Sequence, residues 1–297
     1  MKVSQTSHLV FTQALIIKKE IWLPATSFIP PQLSTQFSAG WNGSFFNGTM
    51  NAEANVYYKK MDNLTSLKEG YENMFGITGI ENKIENNGVG VAYGTEFSLS
   101  KNTGKWTGSA SYCWSYASRQ FTNINKGKTY EYDFNRPHSI NLTINHEFSK
   151  AWIMSLIWIF QSGIPYTPAL GKQFSIDQQT EKFTSVEFIY GEKNSGRMEP
   201  YHRMDIGLVH NTKTKRGNRA TWTYSIYNVY NRINPYNYYY DNDNDRRNLT
   251  YTNRPLKLYK IGLFAFMPSI SYKVYFDYSK REKQQKKEKK SWLYFDE

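Results

Sequence analysis

The chain has 297 residues, 17% of them aromatic, 21% charged and 39% hydrophobic, and its Lys and Arg outnumber Asp and Glu to give a formal net charge of +12. Its single cysteine, Cys113, excludes an internal disulfide framework and a Cys/His zinc site. No apolar run reaches the roughly 18 residues of a membrane-spanning helix, so a membrane role is open only through β-strands.

From the N-terminus, "LVFTQALII" (9–17) has the apolar character of a short signal segment, but polar residues precede it and no small-residue cleavage site follows before Pro24. Whether residues 1–20 act as an export signal stays open. Beyond it, period-two alternation marks ten candidate strands, at 2–15, 34–46, 50–61, 88–100, 105–116, 139–148, 151–163, 200–212, 219–230 and 256–276. In 88–100, Val89, Val91, Tyr93, Phe97 and Leu99 alternate with Gly90, Ala92, Gly94, Glu96 and Ser98. In 139–148, Ile140, Leu142, Ile144 and Phe148 alternate with Ser139, Asn141, Thr143, Asn145 and Glu147. One face is dry and the other is wet. The last candidate keeps one parity from Phe264 to Phe276 and reads as a single long strand with Pro268 as its weak point.

The connections alternate strictly between short and long. The short ones are 47–49, 102–104, Ser149-Lys150 and 213–217; the long ones are 16–33, 62–86, 119–135, 164–199 and 231–255. An up-and-down meander puts every second connection at the same end, which gives one rim of tight turns and one of extended loops, as in outer-membrane barrels. A Greek-key sandwich has no reason to show this order. Lys and Arg avoid mid-strand apolar positions and collect at the short turns, in Lys101, Lys105, Lys150, Lys213, Lys215 and Arg216. Trp41, Trp106, Trp152 and Trp222 are candidates for an interfacial girdle. The remaining positive charge concentrates in "SKREKQQKKEKKS" (279–291), which reads as a solvated, disordered tail and not as a nucleic-acid arm.

The strings "NRPHSINL" (135–142), "QSGIPYTP" (161–168), "GEKNSGRMEPYHRMDI" (191–206), "YNVYNRINPYNYYY" (227–240) and "MPSISYKVYF" (267–276) resemble the C-terminal barrel of TonB-dependent outer-membrane receptors. The resemblance spans residues 1–276 and leaves 277–297 as the basic tail. It implies a non-enzymatic chain in the outer membrane, an all-β antiparallel transmembrane β-barrel segment of about ten strands. It further implies uptake of a metal chelate, corrinoid or oligosaccharide, with a plug and a TonB-type energy-coupling protein as partners besides outer-membrane lipid. Within these residues no plug or coupling box is recognisable, so the expectation is a truncated receptor or the second half of a split one, unable to transport alone. The alternatives are a self-contained ten-stranded pore or Asp/His protease, and a soluble carbohydrate-binding sandwich.

Four tyrosines of the last long loop, Tyr236, Tyr238, Tyr239 and Tyr240, offer apolar faces with polar tips suited to a sugar ring or flat ligand, and equally to packing within the loop. Asp241, Asp243 and Asp245 match the opening of a calcium loop, but Arg246 stands where its glycine is needed and Thr252 where its closing acid is needed, so no metal is expected. His138 with Asp133, and His202 with Asp205, are the pairs from which hydrolytic chemistry would be built. No spacing fixes them together, and no cofactor is implied.

Overall fold

The computed structural model describes residues 6–12, 18–70, 79–176, 183–241 and 256–276. In chain order the strands are β1 (Thr6–Thr12), β2 (Lys18–Pro24), β3 (Leu33–Phe45), β4 (Met50–Leu67), β5 (Ile84–Lys101), β6 (Trp106–Gln120), β7 (Tyr130–Glu131), β8 (His138–Ser149) and β9 (Trp152–Gln161). They continue with β10 (Pro165–Tyr166), β11 (Ala169–Ile176), β12 (Phe183–Tyr190), β13 (Gly196–Arg197), β14 (Tyr201–Lys213), β15 (Arg219–Tyr227), β16 (Pro235–Asp241), β17 (Lys257–Gly262) and β18 (Met267–Tyr275). One antiparallel sheet runs β18-β15-β14-β9-β8-β6-β5-β4-β3, with β7 added beside β6 to make ten strands. It is an up-and-down meander.

Register fixes the two faces. Phe97 pairs with Ala54 and Tyr112, Tyr112 with Ile140, Ile140 with Phe160. One row further, Glu96 pairs with Asn55 and Cys113, Cys113 with Ser139, and Ser139 with Gln161. Directly paired residues share a face, so the sheet has a predominantly apolar side and a predominantly polar one, Ile153, Ile157 and Ile159 of β9 being apolar residues on the polar side. Among the described residues no second sheet covers the apolar side: Phe37, Trp41, Phe97, Trp106, Phe148 and Ile270 are all exposed. A soluble sandwich would bury that face. The two end strands, β3 and β18, each have one paired neighbour, so the sheet is open and the self-contained closed pore is not what forms.

Three expectations are corrected. The segment expected as a first strand, 2–15, contributes Thr6–Thr12 to a separate hairpin with β2 and not to the sheet. The single strand expected over 256–276 is two, β17 and β18, belonging to different sheets. The break lies before Pro268, where Phe264 takes a left-handed backbone at φ 49. Asn228 Nδ2 donates to the Phe264 carbonyl (3.3 Å) and the Phe266 amide donates to Asn231 Oδ1 (3.0 Å), and these bonds hold the chain out of the ladder. The long connections, finally, are partly regular: β4 and β5 have 18 residues each, about 60 Å at ~3.3 Å per residue, and overshoot any bilayer. Left-handed Asn63 and Asn87 sit at the register shifts that re-aim this extension. The tail 277–297 and the Asp243/Asp245 stretch lie outside the described residues.

Among the described residues a dry core sits at the long-loop end, where Leu64, Phe121, Ile124 and Tyr130 are buried together with Met61 against them. Gly88 makes the room: a Cβ there would fall on the Phe121 ring. Phe121→Ala is therefore expected to cost about 3–5 kcal/mol and to lower the temperature at which the compact, fast-migrating form converts on an unboiled gel. An unchanged conversion temperature would contradict this assignment.

Candidate functional site at the long-loop rim

Three long connections are tied to one another above the sheet. Arg197 of β13 is the central knot: its guanidinium donates to the Asn135 carbonyl (3.1 Å), to the Gly163 carbonyl (2.7 Å) and to the Glu131 carboxylate. Asn135 Nδ2 donates to the same carboxylate (3.0 Å). Asn194, held left-handed, donates to the Glu131 carbonyl (2.7 Å) and to Asp133 Oδ1 (2.6 Å). Asn125 reaches both ways, its amide donating to Glu69 (2.7 Å) and its side-chain oxygen accepting from the Lys193 amide (3.0 Å). Hydrogen bonds to charged groups are the stronger class, and several converge here.

The local sequence explains why the loops approach so closely. Gly163 lies where a Cβ would strike the Met198 carbonyl, and Gly196 lies where one would meet the Tyr166 ring at 2.8 Å. These two glycines let β10 and β13 pair. The strings "QSGIPYTP" and "GEKNSGRMEPYHRMDI" are thus the two sides of one clasp.

Below the clasp, on the polar face of β14, Arg203 pairs with Asp205 (2.9 Å) and donates to the hydroxyls of Tyr201 (2.9 Å) and Tyr227 (2.7 Å). Its guanidinium also lies over the Tyr227 ring at 4.1 Å, and Asp205 accepts the Asn228 amide (2.8 Å). Arg119 covers Tyr132 in the same manner, at 4.0 Å. The mouth of the polar face is therefore lined by guanidinium and phenol groups, a chemistry suited to flat or anionic ligands. Sequence reasoning missed this set. Its only signal was that Arg203, Asp205 and Tyr201 share one strand parity. Further along the wall, Glu53, Asn55, Glu96, Ser111, Cys113 and Asn141 line a groove.

The tyrosine stretch forms β16, in a hairpin with β17 over the clasp. Tyr238 meets Tyr166 edge-on at 5.3 Å and its hydroxyl accepts the Glu199 amide (3.2 Å). Tyr240 contacts Phe188 at 5.8 Å, and Tyr239 stacks on Tyr259 at 5.4 Å. Tyr236 is 43% exposed. Tyr238, Tyr239 and Tyr240 each pack against another ring, and of the four Tyr236 presents the most surface.

The hydrolytic pairs do not assemble. Asp133 is held by Asn194, whereas His138 lies on the apolar face with its Nδ1 2.9 Å from the Tyr112 hydroxyl. His202 pairs in register with Phe160 on the apolar face and Asp205 with Ile157 on the polar face, so the sheet itself separates them. Among the described residues no group of three His, Cys, Asp or Glu is placed to hold a metal.

Residues 23–231 match the family described as TonB dependent receptor-like, beta-barrel. No curated protein matches the sequence. Among solved structures, the ferric-catecholate import receptor Fiu from E. coli aligns at 12% identity and TM-score 0.48, over 71% of this chain and 25% of that one. The pyoverdine outer membrane receptor FpvA from Pseudomonas aeruginosa aligns at 13% identity and TM-score 0.47, over 70% of this chain and 27% of that one. The chain thus spans about a quarter of the length of these structures.

Arg197→Ala is expected to release the clasp, at a cost near the lower end of the ~1.5–3 kcal/mol of a charged hydrogen bond because the pair is about one-third exposed. Limited proteolysis should then cut within 119–137 and 162–200 while the sheet strands stay protected. A second dependence concerns Glu199, which accepts Lys260 Nζ at 2.8 Å and lies 3.7 Å from Arg232. The Lys260 hydrogen bond, with the charges of Lys260 and Arg232, holds its carboxyl below the ordinary 4.5. A depressed folded value means that this tie is fully present above the unfolded value and is lost as pH falls through the folded one. Protection of the β16–β17 hairpin should therefore hold through the ordinary carboxylate range and fall off only as the pH drops below it, and Glu199→Gln should remove that step.

Proposed function

Because the chain belongs to the TonB-dependent receptor β-barrel family, whose members are outer-membrane proteins, we propose that it forms part of the wall and ligand mouth of an import receptor. The observation that carries this reading is the single meander with a dry face, a wet face, tight turns at one end and clasped loops at the other. Only in lipid is the exposed apolar face stable. A sheet with two open edges would leave backbone donors and acceptors unpaired there, at several kcal/mol each, so the edges of β3 and β18 take further strands before the wall closes. The polar face then lines the lumen, and the long-loop rim faces outward.

The mouth, with Tyr236 most exposed and the guanidinium groups of Arg119 and Arg203 stacked on tyrosines, suits a metal chelate, a corrinoid or an oligosaccharide. Tyr238, Tyr239 and Tyr240 contribute by shaping the loop from which Tyr236 projects. Transport by the assembled receptor would draw on a plug and a TonB-type energy-coupling partner. This is the work of a receptor family and not of an enzyme family.

The test fuses the chain to a working export signal and follows it in outer-membrane fractions. Heat-modifiable migration and protease-resistant strands are the expected result, either with the chain alone as an oligomer or upon co-expression of the other barrel strands. Aggregation or degradation under both conditions would sink the reading. If a ligand is captured, Tyr236→Ala should weaken it by roughly tenfold, the ~1–2 kcal/mol of one aromatic stacking contact, with the heat-modifiable band unchanged.

A further inference from the structure

Ion pairing divides the molecule. Among the described residues every ion pair sits on strand ends or connections toward the long-loop rim: Lys60–Asp62, Lys128–Glu192, Arg197–Glu131, Arg203–Asp205, and Glu199 with both Arg232 and Lys260. The short-turn rim is the reverse. Lys105, Lys150, Lys213, Lys215, Arg216 and Arg219 stand in or beside its turns, all exposed, and none forms an ion pair among the described residues. Glu147, whose amide donates to the Lys105 carbonyl (2.8 Å), forms no ion pair among the described residues.

Immediately inside these cations, on the apolar face, lies a belt of stacked rings. Trp106 packs on His146 at 4.0 Å and His146 on Phe148 at 4.5 Å. Trp152 stacks on His210 at 4.2 Å with planes 12° apart, and Trp222 packs on Tyr272 at 4.4 Å. Amphipathic rings of this kind settle at headgroup level. A belt that fixes headgroup depth, continued without interruption into a row of unpaired cations, matches an apolar tail with a negative head.

We propose that the short-turn rim, through Lys105, Lys150, Lys215 and Arg216 above the Trp106, Trp152 and Trp222 belt, is a binding surface for anionic phospholipid headgroups of the inner leaflet. The proposal rests on the membrane reading above. Cations near a bilayer surface attract acidic lipid by about fivefold each, and the attraction fades beyond a Debye length. At the opposite rim Lys60, Lys128, Arg197, Arg203, Arg232 and Lys260 are each held by a Glu or Asp partner.

The experiment inserts the full chain into zwitterionic vesicles containing equal fractions of either dibrominated phosphatidylcholine or dibrominated phosphatidylglycerol, and reads quenching of tryptophan fluorescence. The expected result is stronger quenching by the anionic lipid, with an apparent association ratio on the order of fivefold that shrinks in high salt. The combined variant Lys105→Gln, Lys150→Gln, Lys215→Gln and Arg216→Gln should bring the ratio to about one while phosphatidylcholine quenching persists, and Lys60→Gln on the other rim should leave it unchanged. Equal quenching by the two lipids, a ratio retained in the combined variant, or an equal loss in Lys60→Gln overturns the proposal and leaves the membrane reading intact. Absence of quenching by either lipid overturns both, because the chain has then not entered the bilayer.

Discussion

Backbone hydrogen bonding in a medium without water is the constraint on which this structure depends. Every N–H and C=O at membrane depth must find a partner in a neighbouring strand. The antiparallel ladder from β18 to β3 satisfies that demand for all strands but the outer sides of the two at its ends. Side-chain placement follows from the ladder, since pairing in register carries one parity across every strand. The exposed Phe37, Phe97 and Ile270 are then a consequence of location and not a defect in packing.

The same ladder leaves little for a buried core to do within the sheet. Strand pairing there is supplemented by side-chain bonds on the polar face, such as Ser155 to Asn145 (2.7 Å), Thr221 to Asn211 (3.1 Å) and Ser225 with Ser269 (2.9 Å). A dry cluster sits in the extension beyond the membrane, around Phe121 and Ile124. Above it the loops are held by charge-assisted hydrogen bonds converging on Arg197 and Asn194. Apolar burial, backbone pairing and polar clasping thus occupy successive levels of one molecule, each where its surroundings favour it.

Asymmetry between the rims follows from chain geometry. A two-residue or five-residue turn has no room for a partner loop, so its Lys and Arg project alone. The long connections can reach across one another, and their acids meet their bases. Lys128 with Glu192 spans 64 positions of sequence and Arg197 with Glu131 spans 66. Such pairs form only once several hairpins are in place.

Period-two alternation, the short-long rhythm of connections and the position of cations at the tight turns were all legible in the sequence, because each is a local pattern imposed by the bilayer. The girdle positions Trp41, Trp106, Trp152 and Trp222 were legible for the same reason, and all four are exposed on the apolar face. What the rings of Tyr238, Tyr239 and Tyr240 touch was not legible, since Tyr166, Phe188 and Tyr259 come from other parts of the chain. The break before β18 was also hidden: apolar alternation continues through Phe264, and only side chains from 228–231 hold that residue left-handed. Sequence determined which faces meet lipid and which rim carries the loops, because those follow from spacing along one strand. Tertiary structure alone decided the Arg197 clasp and the arrival of Tyr227 at Arg203, because each depends on contacts between residues far apart in the chain.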